Sequence, residues 1–137
     1  MTLSFDPAIL DRHRLYAWLR EAYWSAGRPQ DSIDRSLEDS LCLSAWDGDE
    51  MVGFARVVTD YATFAWLCDV IVAPDRRGQG IGKTMVAAIL AREDLATVRW
   101  MLGTRDAHTL YEQFGFETSV ETDRWMTKGF NVRPPRS

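Results

Sequence analysis

Two rhythms of apolar residues run through this chain. Leu15, Trp18, Leu19 and Ala22 fall three and four positions apart, which predicts a helix over residues 13–23. Ala26, Gly27, Arg28 and Pro29 end it. Asp31 or Ser32 then caps a second helix that turns Ile33 and Leu37 inward. From residue 41 the pattern shifts to runs of strand length. Residues 3–5 read as a short first strand, and residues 41–46 and 51–59 as a hairpin around Asp47, Gly48, Asp49 and Glu50. Asp60, Tyr61, Ala62 and Thr63 make the next turn. Residues 64–73 make the next strand, which Pro74 stops by withdrawing a hydrogen-bond donor. Helical spacing returns at Gly80 or Ile81, with Met85, Val86, Ile89 and Leu90 on the buried stripe. Residues 98–102 read as a strand. Residues 107–114 read as a short helix capped by Asp106 and closed by Gly115. Residues 116–119 and 122–127 read as the last two strands. This order predicts an α/β (α+β) fold in one domain, residues 1–137. Antiparallel hairpins come first, and a helical crossover from Ala73 to Val98 makes one parallel pair.

Composition narrows the function classes. The net charge is −4, with no basic face, which argues against a generic nucleic-acid binder. No 18-residue apolar run is present, so no membrane span is expected. The N-terminus lacks a basic region followed by an apolar one, so no secretory signal is expected and a cytoplasmic location is. Cys42 and Cys68 sit in apolar stretches and read as reduced core thiols rather than a disulfide or a metal pair. Residues 131–137 hold two prolines and two arginines and read as a mobile or strap-like tail.

The chemistry concentrates after the strand at 64–73. Arg77, Gly78, Gln79, Gly80, Ile81 and Gly82 link that strand to the helix that follows, and Lys83 adds charge beside them. Glycine lets a main chain approach an anion closely, and a helix start offers free N–H groups with a partial positive charge. This is a phosphate site in outline. Three glycine-loop patterns compete for it. Gly82, Lys83 and Thr84 satisfy the second half of a P-loop, but its first glycine would fall at position 77, which is Arg. The dinucleotide pattern G-x-G-x-x-G meets Lys83 from Gly78 and Met85 from Gly80, so it fails in both registers. The register that fits is Arg/Gln-x-x-Gly-x-Gly/Ala, from Arg77 to Gly82.

That loop resembles the signature of the GNAT acetyltransferase superfamily. A second block supports the resemblance: Asp106, Ala107, His108, Thr109, Leu110, Tyr111, Glu112, Gln113, Phe114, Gly115 and Phe116 follow the family's later motif, in which a short helix carries a tyrosine and ends in Gly-Phe. The likeness spans residues 51–116. It implies a GNAT-like mixed, mostly antiparallel sheet flanked by helices, with a splayed parallel strand pair that takes the acyl-donor arm of coenzyme A. It also implies acetyl transfer from acetyl-CoA to an amine by direct attack.

The resemblance carries roles to particular residues. Main-chain groups of Arg77, Gly78, Gln79, Gly80, Ile81, Gly82 and Lys83 would hold the diphosphate. Main-chain groups of Val70, Ile71 and Val72 would pair with the pantetheine arm and face the thioester oxygen. Tyr111 matches the family's tyrosine that protonates the departing thiolate. Asp69, on the strand that enters the loop, is the leading base for the acceptor amine, with an ordinary strand carboxylate as the other reading. Glu21, Asp60 and Tyr61 are lesser base candidates, and His108 reads as structural. Trp24, Tyr61, Phe64 and Trp66 suit an aromatic-lined acceptor cleft, and Arg28 suits an acidic acceptor or a helix cap. The expected acceptor is a small-molecule primary amine, with a protein or peptide amine as an alternative. The competing class is a non-catalytic acyl-CoA-binding sensor or assembly module. No metal is expected. A homodimer is compatible with a domain of this size, although no residue demonstrates one.

Overall fold

The computed structural model describes residues 1–119 and 121–130. It divides into two compact units, Met1–Gly103 and Thr104–Ser137. The first unit holds five strands: β1 (Thr2–Ser4), β2 (Leu41–Asp47), β3 (Glu50–Thr59), β4 (Phe64–Val72) and β5 (Arg99–Met101). Three helices accompany them: α1 (Arg12–Glu21), α2 (Gln30–Glu38) and α3 (Ile81–Leu90). The strands lie side by side in chain order. Every pair is antiparallel except β4 and β5, which α3 connects as a parallel crossover. The expected mixed, mostly antiparallel sheet flanked by helices is the fold observed.

Local chemistry explains the element boundaries. Asp11 caps α1 by accepting from the Arg14 amide at 3.2 Å. α2 starts earlier than the capping pattern suggests. Pro29 precedes it and no side chain caps it, so neither Asp31 nor Ser32 serves as the cap. Asp31 instead lies in the first turn, where its charge complements the helix dipole. Arg12 and Tyr16 of α1 both donate to Asp34 of α2, which ties the two helices together.

The sheet has two distinct faces. A Cβ built on Gly53 would lie 3.0 Å from Met85 Sδ and Cε and 3.1 Å from Ile81 Cγ2, so Gly53 faces α3. Strand alternation puts Phe54 and Arg56 on the opposite face. There Phe54 and Ile71 join Leu15, Trp18, Leu19, Ile33 and Leu37 in one buried cluster with α1 and α2. Arg14 fastens α1 to the β2–β3 hairpin through the Met51 carbonyl at 2.7 Å and Glu50 at 2.9 Å.

Two irregularities set up the site. The β3–β4 register shifts between Arg56 and Val57, which leaves Cys68 as the extra residue of a bulge. The β4–β5 ladder is short: Phe64 pairs with Arg99, Ala65 with Trp100 and Trp66 with Met101. Beyond Trp66, β4 runs on to Val72 with no strand on that side among the described residues. This is the splayed parallel pair.

The second unit contains α4 (His108–Glu112), shorter than the expected 107–114. Thr104 Oγ1, not Asp106, accepts from the amide at its start, at 3.0 Å from Ala107 N. The strands expected at 116–119 and 122–127 are not formed. Residues 117–119 are exposed without regular structure, and Thr122–Arg124 is a single 3-10 turn. Glu117, Thr118, Ser119, Glu121 and Asp123 are poor strand formers or charged, and they separate Phe116 from Trp125 and Met126. The expected tail, residues 131–137, lies outside the described residues.

Close approach of α3 to the sheet depends on Gly53. Gly53→Val should force Met85 and Ile81 apart and destabilise the fold by about 1–3 kcal/mol. Urea unfolding followed by tryptophan fluorescence checks this, and an unchanged midpoint would contradict the packing.

Candidate active site

β4 ends with main-chain groups on an edge that no strand among the described residues covers. The Ala73 amide donates to the Val52 carbonyl of the β3 side at 2.9 Å. In an antiparallel pair the polar groups of successive residues alternate in direction. Ile71 and Asp69 therefore also turn theirs toward β3, while Val70 and Val72 turn theirs toward the edge that β5 has left. Of the three residues expected there, Val70 and Val72 offer main-chain groups. Ile71 contributes a buried side chain to the core.

The loop after β4 continues this row of unpaired donors. A 3-10 turn, Pro74–Arg76, leads to Arg77. Gly78 (φ 79°) and Gly80 (φ 81°) both lie in the left-handed region, and Gly80 is the N-cap of α3. Glycine enters that region without the steric penalty of a side chain. The first donor of α3 to find an acceptor is Thr84, whose amide bonds the Gly80 carbonyl at 3.0 Å. The amides of Arg77, Gly78, Gln79, Gly80, Ile81, Gly82 and Lys83 make no hydrogen bond to a described protein group. They meet solvent at the positive end of a helix.

Gly82 strengthens this reading. Its backbone is helical, and a Cβ there would meet only Val72 Cγ2, at an ordinary 3.7 Å. Nothing among the described residues requires glycine at this position, although a helical glycine costs about 0.5–1 kcal/mol relative to alanine. A ligand that approaches the helix start closely would require it.

The charges beside the loop divide between two tasks. Arg76 is paired with Asp47 at 2.7 Å and Glu50 at 3.1 Å, which anchors the loop to the β2–β3 turn. Arg77 and Lys83 are exposed and have no ion pair among the described residues. Their charge is available to an anion.

On the α1/α2 face of the same strand sits a buried ionic cluster. Asp69 is 1% exposed. Its Oδ2 accepts from Arg56 Nε at 2.8 Å and Arg28 Nη1 at 3.2 Å, and its Oδ1 from Trp24 Nε1 at 2.7 Å. Arg56 also donates to Ser40 Oγ at 3.0 Å. Burial alone would raise the Asp69 pKa. The Arg56 guanidinium, through charge and hydrogen bond, outweighs it with help from Arg28 and Trp24, and holds the carboxyl below the usual aspartate range. β3 alternation puts Val58, and therefore its partner Trp66, on this same face.

The other candidates take simpler places. Asp60 accepts from the amides of Ala62, Thr63 and Phe64 and from the Thr63 hydroxyl. These bonds depress its pKa and hold the turn. Tyr61 is exposed on that turn at φ 62°. Glu21 ends α1 in solvent. In the second unit, Tyr111 is half-buried on α4 with its ring edge-on to Phe116 at 5.9 Å, and His108 is exposed. Cys42 and Cys68 are free, and burial pushes both thiols up to about 11. That removes the thiolate character a nucleophile needs. Arg56 is the site residue that sequence reasoning missed. Its signal is a lone arginine inside the apolar run of residues 52–58, one strand away from a lone aspartate.

An open strand edge followed by unpaired helix-start amides is suited to an extended, anionic ligand. Comparison with known proteins makes this specific. The chain matches the family model of the acetyltransferase (GNAT) domain over residues 38–118. It is 34% identical over 132 residues to an uncharacterized N-acetyltransferase, ycf52, of Gracilaria tenuistipitata var. liui, across 90% of this chain and 71% of that protein. A GNAT-family structure from Xanthomonas campestris pv. campestris superposes with a TM-score of 0.90 at 34% identity, covering 96% of each chain. A GNAT acetyltransferase from Elizabethkingia anophelis with acetyl-CoA bound shares the fold, with a TM-score of 0.59 at 22% identity over 76% of this chain and 69% of that one. The chain spans about half the length of the first curated relatives it matches, 46% and 59%. The protein belongs to the GNAT acetyltransferase family.

Removing the Asp69 charge should destabilise the fold. Asp69→Asn leaves Arg56 buried without its counter-ion, and about 3–5 kcal/mol should be lost at neutral pH. A depressed carboxyl stabilises above its unfolded pKa, and the contribution fades as pH falls through the folded value. The gap between wild type and variant should therefore be full at pH 7 and shrink below about pH 4, the ordinary aspartate value. Denaturant titrations at pH 7 and pH 3 check this, and a gap that widens in acid would contradict it.

Proposed function

We propose that this protein transfers an acetyl group from acetyl-CoA to the primary amine of a small molecule. The observation that carries the proposal is the pair of main-chain sets left free on one side of the chain, Val70 and Val72 on the β4 edge and the amides of residues 77–83 after the Pro74–Arg76 turn. The residues present fit the acyl donor. The amides of residues 77–83 would bind its diphosphate, with Arg77 and Lys83 beside them. Val70 and Val72 would pair with its extended arm as an added strand does. When bound, it supplies a thioester whose carbonyl an amine attacks directly.

The chain's own residues have three tasks. A free N–H on the β4 edge would face the carbonyl oxygen that gains charge. A preorganised donor of this kind is typically worth about 10²–10³ in rate. Tyr111 donates the proton that the leaving thiolate needs. Asp69, the base expected from the sequence, is disfavoured in that role, because three donors occupy its oxygens and lower its affinity for a proton. We assign it the orientation of Trp24 and Arg28, while the acceptor amine gives its proton to water. The Trp66 face and Tyr61 border the acceptor side.

Two variants test the assignment. Asp enters the left-handed region more readily than most residues, so Gly80→Asp should fold while placing negative charge against the diphosphate. Calorimetric titration should show loss of coenzyme A binding, and unchanged affinity would refute the loop. Tyr111→Phe should lower turnover by about 10²-fold or more and leave acetyl-CoA affinity near wild type. Unchanged thiol release would remove its acid role. Acetyl-CoA binding by the wild type, with no acceptor-dependent thiol release across an amine panel, would instead indicate an acyl-CoA-binding module.

A further inference from the structure

We propose that Arg28 is a carboxylate-recognition residue, so that the acceptor is an amine that also carries a carboxylate, as an amino acid does. The inference deepens the proposed acetyl transfer and rests on it for the position of the acceptor. Its own ground is the charge and geometry around Asp69.

Asp69 needs one cation and has two. Arg56 satisfies it through the shorter bond, 2.8 Å against 3.2 Å, and is itself nearly buried. With two guanidinium groups and one carboxylate, the cluster keeps one surplus positive charge. Arg28 carries that surplus to the surface. Its side chain is 26% exposed, and a single bond through Nη1 is its whole share of the cluster. Every buried side-chain nitrogen and oxygen among the described residues has a hydrogen-bond partner. Arg28 Nε and Nη2 have none, so neither is sealed from solvent, and the side chain is partly exposed. A guanidinium held at one corner with its remaining donors facing outward is suited to take a planar carboxylate on two parallel bonds.

The surroundings point the same way. Arg28 follows Gly27 and precedes Pro29, the residue that starts α2, so its main chain is confined. Trp24, bonded to the other Asp69 oxygen, leaves an indole 40% exposed beside the cluster, with Tyr23 edge-on to it at 5.0 Å. Asp69 immediately precedes Val70, whose main-chain groups open onto the acyl-donor edge. A carboxylate on Arg28 would thus hold an acceptor along the same stretch of strand. The chain as a whole carries −4, so this local positive surplus runs against the overall charge.

The test uses pairs of probes, each α-amino acid against its α-amide, with the protein saturated in acetyl-CoA. Thiol release gives kcat/KM for each probe, and thermal shift with coenzyme A gives binding independently of turnover. The acids should exceed their amides by about 10- to 100-fold in kcat/KM, the range of one charge-assisted contact. Arg28→Met should reduce that ratio to about 1 through KM, and Arg28→Lys should restore part of it. Arg28→Met keeps Arg56 and Trp24 on Asp69, so it should fold. Amides that match or exceed the acids, or a preference that survives Arg28→Met, would overturn the inference while acetyl transfer stood. If no probe released thiol but the acids still raised the melting temperature in an Arg28-dependent way, the anion site would stand and acetyl transfer would fall.

Discussion

The end of the β4–β5 ladder at Trp66 and Met101 is the constraint on which the site depends. A strand inside a sheet spends its main-chain groups on its neighbours, and a buried one cannot leave them unmet. β4 meets that demand with β3 along one side and with β5 for three residues on the other. From Leu67 onward its outer side is committed to no strand among the described residues. Because the chain then turns into a helix start, the open edge and the unpaired amides form one surface. The bulge at Cys68 falls just past the last β4–β5 pair, where extra local twist helps the strands diverge.

Much of this was legible in the sequence, and the reasons differ by element. The helix stripes of α1 and α3 and the β2–β3 hairpin followed from periodicity and turn residues, because packing and propensity agree there. The glycine loop was legible because Gly78 and Gly80 are needed for backbone geometry alone. The ionic cluster was not. Counting back from the turn at residues 60–63 in regular register would put Arg56 opposite Cys68, since Val58 faces Trp66 and Val57 faces Leu67. It would also leave Asp69 on the α3 face with Leu67. One inserted residue shifts Asp69 opposite Arg56 and turns it toward α1 and α2, and a bulge of this kind has no reliable residue signature. The two final strands are not formed among the described residues, where only Phe116, Trp125 and Met126 supply large apolar side chains between residues 116 and 127.

The cluster also bears on what a buried charge contributes. A buried ion pair is weak evidence of stability, because desolvation can cancel the attraction. Asp69 has three donors from two separate segments: Trp24 and Arg28 from the link between α1 and α2, and Arg56 from β3. A well-packed apolar residue could fill the same space. What it could not do is fix an indole and a guanidinium from an irregular loop in register with the strand edge. The arrangement is therefore better explained by orientation than by stability.

The recognition proposed here divides by chemistry between the two faces of β4. On the α3 side and along the edge, the donors are main-chain amides, whose positions follow from backbone geometry and tolerate change in neighbouring side chains. This suits a ligand that never varies, as an acyl carrier does. On the α1/α2 side, the donors are side chains held by Asp69, and the two from the irregular link, Trp24 and Arg28, can be altered without disturbing a ladder. This suits the partner that distinguishes one member of a fold family from another, since fold alone does not determine substrate. Gly82 and Arg28 illustrate the division. The first is costly to its helix and required by nothing among the described residues, and the second is surplus to the charge it helps to neutralise. Each feature is unexplained by the folded chain alone and becomes intelligible once a ligand occupies its side of the strand.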